Sequence, residues 1–166
     1  MMPGKYRIMF VCTGNTCRSP MAEGALRKLL EKDDITNVEI VSSGTGAIYG
    51  YPATDFAIEA AKIWDANINK HKSQPVTREL IERMDLVLCM SPSHCQHVKQ
   101  MAESSRDKVY LLRNYPKKGC EGEGIDDPIG GTLDIYNHAF LEIGEELGRI
   151  LPHIKDAAAK KAEESE

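Results

Sequence analysis

The chain has 166 residues, enough for one domain with a sizeable core, and its 42% hydrophobic and 28% charged content is that of an ordinary globular protein. A net charge of -4 without a strong basic run argues against a general nucleic-acid binder. No segment approaches the ~20 apolar residues of a membrane span, and Met1-Met2-Pro3-Gly4-Lys5 opens on no signal-peptide core, so a cytoplasmic protein without membrane partners is expected.

In chain order, Tyr6-Arg7-Ile8-Met9-Phe10-Val11 reads as a buried strand. Ser19-Pro20 opens a helix, with Pro tolerated and Glu23 favoured near its start, and Met21, Ala25, Leu26, Leu29 and Leu30 share a face as far as about Lys32. Val38-Glu39-Ile40-Val41 is a second strand, followed by a loop rich in Gly and Ser. From Pro52 to Asn67, Phe56, Ala60, Ile63 and Trp64 recur at helical spacing; Thr77 caps a short helix to Glu82. Met84 to Met90 is a third strand, Ser91 to Met101 a helix, and Val109 to Leu112 a fourth strand. Tyr136, Phe140, Ile143, Leu147, Ile150 and Ile154 step by three and four along a long final helix, with a kink expected at Pro152 and a charged tail, 156–166, that frays. Strands interleaved with helices, and no linker between them, make residues 1–166 one α/β domain. The expected architecture is a four-stranded parallel sheet with helices on both faces, flavodoxin-like and doubly wound. Ligands of such sheets bind beyond the carboxyl ends of the strands.

At the end of the first strand stands Cys12-Thr13-Gly14-Asn15-Thr16-Cys17-Arg18-Ser19. A cysteine and an arginine with five residues between them, placed between strand and helix, suit a pocket for a phosphate-sized oxyanion. The loop's N–H groups form an anion nest, and the helix N-terminus adds partial positive charge. The same field favours the nucleophilic form of a thiol, and the Arg18 fork holds two oxygens as a Lys could not. Gly14 is expected to take the backbone angle closed to other residues. A thiolate that attacks phosphorus needs a proton donor for the leaving group. Asp126-Asp127-Pro128-Ile129-Gly130-Gly131, in the loop before the last helix, offers two carboxylates.

Together these segments resemble the low-molecular-weight protein-tyrosine-phosphatase family. The match runs through Val11 to Glu23, Leu88-Cys89-Met90 and Asp127-Pro128, and covers essentially the whole chain. The resemblance implies Cys12 as nucleophile, Arg18 as phosphoryl anchor and Asp127, which precedes the proline, as proton donor. It implies substrate contacts from Thr13, Gly14, Asn15, Thr16, Cys17 and Ser19, and a supporting network of Asn15, Ser19, His71 and either Ser42 or Ser43. Cys17 would bond to Cys12 on oxidation. A phosphorylated protein is the implied substrate, with no cofactor, no metal and a monomer or weak dimer.

Two features depart from the tyrosine-specific pattern. Ile129-Gly130-Gly131 stands where aromatic residues usually follow the Asp-Pro pair, and Thr16 stands where a bulkier aliphatic residue is common. A bacterial branch with these features acts on phosphoarginine, although Tyr49 and Tyr51 remain available as an aromatic wall. The alternative is a thioredoxin-coupled arsenate reductase, which shares the fold and relays a disulfide through two further cysteines, here Cys89 and Cys95. A non-catalytic anion-binding module is disfavoured by the presence of both Cys12 and Asp127. His94, Cys95 and His97 cluster without a second ligand pair of zinc-site spacing. The odd count of five cysteines, Cys120 included, favours reduced thiols.

Overall fold

A computed structural model describes residues 4–164. Four strands, β1 (Tyr6–Cys12), β2 (Val38–Gly44), β3 (Leu86–Cys89) and β4 (Val109–Leu111), form one parallel sheet in the order β2-β1-β3-β4. β1 is central. From Ile8 to Cys12 it is buried on both faces, which is why that run is apolar throughout rather than alternating.

The two faces carry separate cores. Ile8, Phe10 and Cys12 point to the side packed by α1 (Arg18–Lys32), α2 (Asp55–Ala61) and α5 (Leu133–Glu164), where Met21, Leu26, Phe140, Ile143 and Leu147 are buried. Met9, Val11, Val87 and Cys89 point to the other side, with Ile81 of α3 (Arg78–Arg83) and Cys95 and Val98 of α4 (Pro92–Met101). This period-2 division puts the last residue of β1, Cys12, on the α1 side, in register with Gly44 at the end of β2. Both sit at the carboxyl edge of the sheet.

Several elements differ from the sequence expectation. The helix expected from Pro52 starts only after Thr54, whose hydroxyl accepts from the Ala57 N–H, and α2 passes into a 3-10 turn (Lys62–Trp64) that ends at Asp65 with a left-handed φ of 55°. Its buried side is Ala57, Ala60 and Ala61, while Phe56 and Ile63 are largely exposed. α5 runs through Pro152 and onward to Glu164, so the tail expected to fray is helical over its described part. Packing explains this: Ala158 is buried, its carbonyl accepts from Asn37 Nδ2 at 2.8 Å, and Lys161 pairs with Asp85 at 3.2 Å. Residues 165–166 of that tail lie outside the described residues.

The cysteines depart from expectation too. Cys95 on α4 is joined to Cys120, 25 positions later, leaving Cys12, Cys17 and Cys89 free. The chain beyond β4 folds back over the end of β3, where the Ile125 N–H donates to the Met90 carbonyl at 2.7 Å, and this return brings Cys120 against α4. A link closing a loop of this length stabilises by about 3 kcal/mol in the chain-entropy model. Cys120→Ser should therefore lower Tm by roughly 6–12 °C under non-reducing conditions. Thiol titration of the unfolded, unreduced chain should find three free groups; finding all cysteines reactive would contradict the link.

Candidate active site

Between β1 and α1 the loop turns at Asn15, which has φ 58° and is fully buried. The left-handed residue is thus Asn15 and not Gly14; a side-chain carbon on Gly14 would meet only Thr16 Oγ1, at an ordinary 3.6 Å. Asn tolerates this region because its short amide bonds locally, and here both ends of the amide are bonded. Its Nδ2 donates to Ser19 Oγ at 2.8 Å and to Ser42 Oγ at 3.0 Å, and its Oδ1 accepts from the Gln74 N–H at 2.9 Å. His71 Nε2 lies 2.6 Å from the Asn15 carbonyl. Ser42 Oγ donates onward to Glu23 Oε1 at 2.9 Å. Ser43, on the opposite face of β2, donates to Met9 Sδ and takes no part, so of the two serines it is Ser42 that supports the loop.

The loop's carbonyls are held by the surrounding chain. Those of Cys12, Thr13 and Thr16 accept from the N–H groups of Thr45, Gly46 and Thr54, each at 2.9 Å. Carbonyls tied to the surrounding chain suit a loop whose amides turn inward as an anion nest. Gly44 makes the close approach of β2 practicable, because a side-chain carbon there would run into the Thr13 carbonyl. α1 carries no acidic residue in its first turn, so its positive end is not neutralised from within. Glu23, read from the sequence as an acid near the helix start, sits beyond that turn and serves the Ser42 network instead.

Cys12 and Arg18 close the loop from either side. Cys12 Sγ is 2.9 Å from Ser19 Oγ, and both residues are buried. Ser19 Oγ already accepts from Asn15, which leaves its hydroxyl hydrogen for the sulfur. The Arg18 side chain is buried as well. Its Nη1 donates to the Ile125 carbonyl at 2.9 Å, and its Nη2 stands 3.4 Å from Thr13 Oγ1 and 3.4 Å from Asp127 Oδ2. Its Nε is buried with no partner among the described residues. A donor in that state is poised for an oxyanion.

These groups line a cavity of about 200 Å³ bounded by Cys12, Thr13, Gly14, Thr16, Cys17, Arg18, Asp127 and Ile129. Asp127 is partly exposed at its rim, held by a 3.1 Å bond from the Ile129 N–H to Oδ1. Asp126 is exposed and is not part of the lining. Tyr49 and Tyr51 are exposed and do not line it either. Thr16 lines the cavity, and its hydroxyl lies 3.9 Å from Cys17 Sγ.

Other participants were not singled out from the sequence. Gln74 and Glu23 buttress Asn15 and Ser42. Tyr136, read as a core residue, places its hydroxyl 3.4 Å from Cys17 Sγ and 3.4 Å from Thr54 Oγ1; burial, then the contact with Cys17, pushes its phenol up to about 12. His94 binds Thr13 and Cys95 is in a disulfide, which dissolves the His94, Cys95 and His97 cluster. The same disulfide deprives Cys89 of Cys95 as a relay partner, and burial pushes the Cys89 thiol up. The arsenate-reductase reading therefore loses the cysteine pair it needs.

The Asn15 network can be dissected by two substitutions. Asn15→Gly keeps the left-handed turn and loses the side-chain bonds, whereas Asn15→Ala loses both. The alanine variant should be less stable than the glycine variant by about 1–2 kcal/mol, and both should bind inorganic phosphate more weakly than the parent. Equal stability, measured by chemical denaturation, would mean that the turn conformation carries no weight.

Residues 7–162 match the family model for low molecular weight phosphotyrosine protein phosphatase. The chain is 40% identical over 148 residues to the protein-arginine-phosphatase of Bacillus subtilis (strain 168), covering 89% of this chain and 96% of that protein. It is 32% identical to the probable low molecular weight protein-tyrosine-phosphatase EpsP of Ralstonia solanacearum, covering 89% and 95%. Among solved structures it resembles a YwlE arginine phosphatase variant with a phosphorylated active site serine, at a TM-score of 0.82 and 38% identity over 90% of this chain and 95% of the other. The chain belongs to the low-molecular-weight family of cysteine-dependent protein phosphatases.

Proposed function

We propose that this phosphatase acts on phosphoarginine in proteins, with Cys12 as nucleophile, Arg18 as phosphoryl anchor and Asp127 as acid and base. In the first step Cys12 sulfur attacks phosphorus, the bond to the guanidino nitrogen breaks, and Asp127 gives that nitrogen its proton. Water then attacks the cysteinyl phosphate as Asp127 removes a proton from it, and the P–S bond breaks to release phosphate and the thiolate. Developing charge on the equatorial oxygens falls on the Arg18 fork and the inward amides of the loop. Asp127 rather than Asp126 takes the acid role because it alone lines the cavity, against the Arg18 edge.

The observation that carries the arginine reading is the cavity wall. Thr16 and Ile129 line the cavity with the thiol, no aromatic residue lines it among the described residues, and the Thr16 hydroxyl, 3.9 Å from Cys17 Sγ, can accept a guanidino N–H. A phenyl ring entering here finds no aromatic partner to stack on among the described residues. The similarity to protein-arginine-phosphatases supports the same reading.

Cys12→Ser should abolish turnover of phosphoarginine protein and of aryl phosphates while leaving phosphate binding largely intact; activity that survives the change would sink the mechanism. Asp127→Ala should slow substrates with poor leaving groups most, and Asp126→Ala should do less. Thr16→Ile should lower phosphoarginine hydrolysis roughly ten- to a hundredfold while sparing or raising phosphotyrosine hydrolysis, the size of one well-placed polar contact. Equal losses on both substrates would make Thr16 a support of the loop and phosphotyrosine the better assignment.

Cys17 serves as the protecting thiol: mild peroxide converts Cys12 to a sulfenic acid, and Cys17 displaces water to form a disulfide. Mass spectrometry after oxidation should find Cys12 linked to Cys17 and activity restored by a dithiol. Over-oxidised Cys12 with Cys17 still free would refute this protection.

A further inference from the structure

His94 is the most fully engaged polar side chain near the cavity that the mechanism has not used. It lies in the first turn of α4, is 3% exposed, and has both ring nitrogens occupied. Nε2 is 2.8 Å from Thr13 Oγ1 and Nδ1 is 2.8 Å from Ser91 Oγ. Ser91 is the N-cap residue of α4, yet its hydroxyl caps nothing and is turned to the imidazole and to Ser93 Oγ. A helix that forgoes its own cap to hold a ring forgoes about 1 kcal/mol of its usual stabilisation.

Thr13 is where this chain of contacts reaches the site. Its hydroxyl is the wall atom that faces Arg18 Nη2 at 3.4 Å, the same nitrogen that faces Asp127. We propose that His94 is a positioning residue of the phosphatase reaction: by fixing the Thr13 hydroxyl it holds the Nη2 edge of Arg18 in the orientation that receives a phosphoryl group. This rests on Arg18 as the phosphoryl anchor. His94 touches no reacting atom, and its influence passes entirely through Thr13. The ring must be neutral to play this part beside a cation. Burial and then Arg18 hold its pKa down at about 4, against the opposing pull of Asp127, with His97 adding a smaller push in the same direction as Arg18. A neutral ring has one N–H, so one of its two bonds is donated and the other accepted, and in both tautomers Thr13 Oγ1 is held in place.

The two amide replacements separate the ring's two contacts. Gln reaches where Nε2 stood and retains the bond to Thr13; Asn reaches only to Nδ1 and retains the bond to Ser91. With p-nitrophenyl phosphate as substrate and inorganic phosphate as competing ligand, His94→Asn should lose about tenfold in kcat/KM and a similar factor in phosphate affinity, and His94→Gln should stay within about threefold of the parent at a Tm matching that of His94→Asn. Equal losses in the two variants, or none in His94→Asn, would overturn the proposal. Should His94→Asn fail to fold, Ser91→Ala loosens the ring from its far side without touching the loop; a several-fold fall in phosphate affinity is expected, and no change would count against the proposal. A parent enzyme without turnover would sink the phosphatase chemistry, while the phosphate-affinity comparison would still judge the positioning.

The neutral ring has its own readout. The unfolded chain takes up a proton near pH 6.5 and the folded chain only near 4, so His94 contributes stability that is present above pH 6.5 and lost as pH falls toward 4. The Tm of the parent relative to His94→Gln should decline over that window. A flat difference contradicts the neutral imidazole.

Discussion

A guanidinium that the fold removes from water organises this site. Arg18 begins α1, so the backbone aims its side chain back beneath the loop, and it is 5% exposed. A buried cation without close anionic partners costs several kcal/mol. The Ile125 carbonyl, the Thr13 hydroxyl and Asp127 offset part of this at 2.9–3.4 Å, and Nε is left over. The contact with Ile125 also spans 107 positions of sequence, so the Arg18 side chain sets the loop bearing Asp127 against the loop bearing Cys12.

The loop around Arg18 is supported from four directions. Asn15 holds a left-handed turn and distributes its amide among Ser19, Ser42 and Gln74, and His71 holds its carbonyl. Ser19 then hands its hydroxyl hydrogen to Cys12. A chain of neutral contacts therefore ends on the sulfur and places no further charge beside it. Preorganisation of this kind lets dipoles act on the transition state without having to reorient.

Much of this was legible in the sequence wherever the signal was local. The central strand is an unbroken apolar run because both its faces are covered, and the Cys12 to Ser19 motif is contiguous, so its position at the end of β1 followed directly. Gly14 drew the assignment of the strained backbone because glycine is the usual solution, but Asn15 takes it, and the reason is long-range: its partners come from β2 and from residues 71 and 74. The choice between Ser42 and Ser43 depended on strand register, which pairs Ser42 with Phe10 and Ser43 with Val11. His94 and Tyr136 meet the loop across 81 and 119 positions and carry no local pattern that sets them apart from core residues. Helix α2 misled in the other direction, since Phe56 and Ile63 have helical spacing yet lie outward while alanines face the core. The Cys95–Cys120 link depends on the path of an irregular segment, which residue spacing does not encode.

The central claim is that phosphate passes through sulfur on Cys12. Asp127→Ala, which removes the base proposed for the second step, should accumulate the intermediate when mixed with an activated aryl phosphate and quenched rapidly. Mass spectrometry under mild conditions is the direct test. The account predicts a phosphate adduct on the peptide containing Cys12, absent in Cys12→Ser. Burst release of the aryl alcohol with no adduct, or an adduct on another residue, would contradict it.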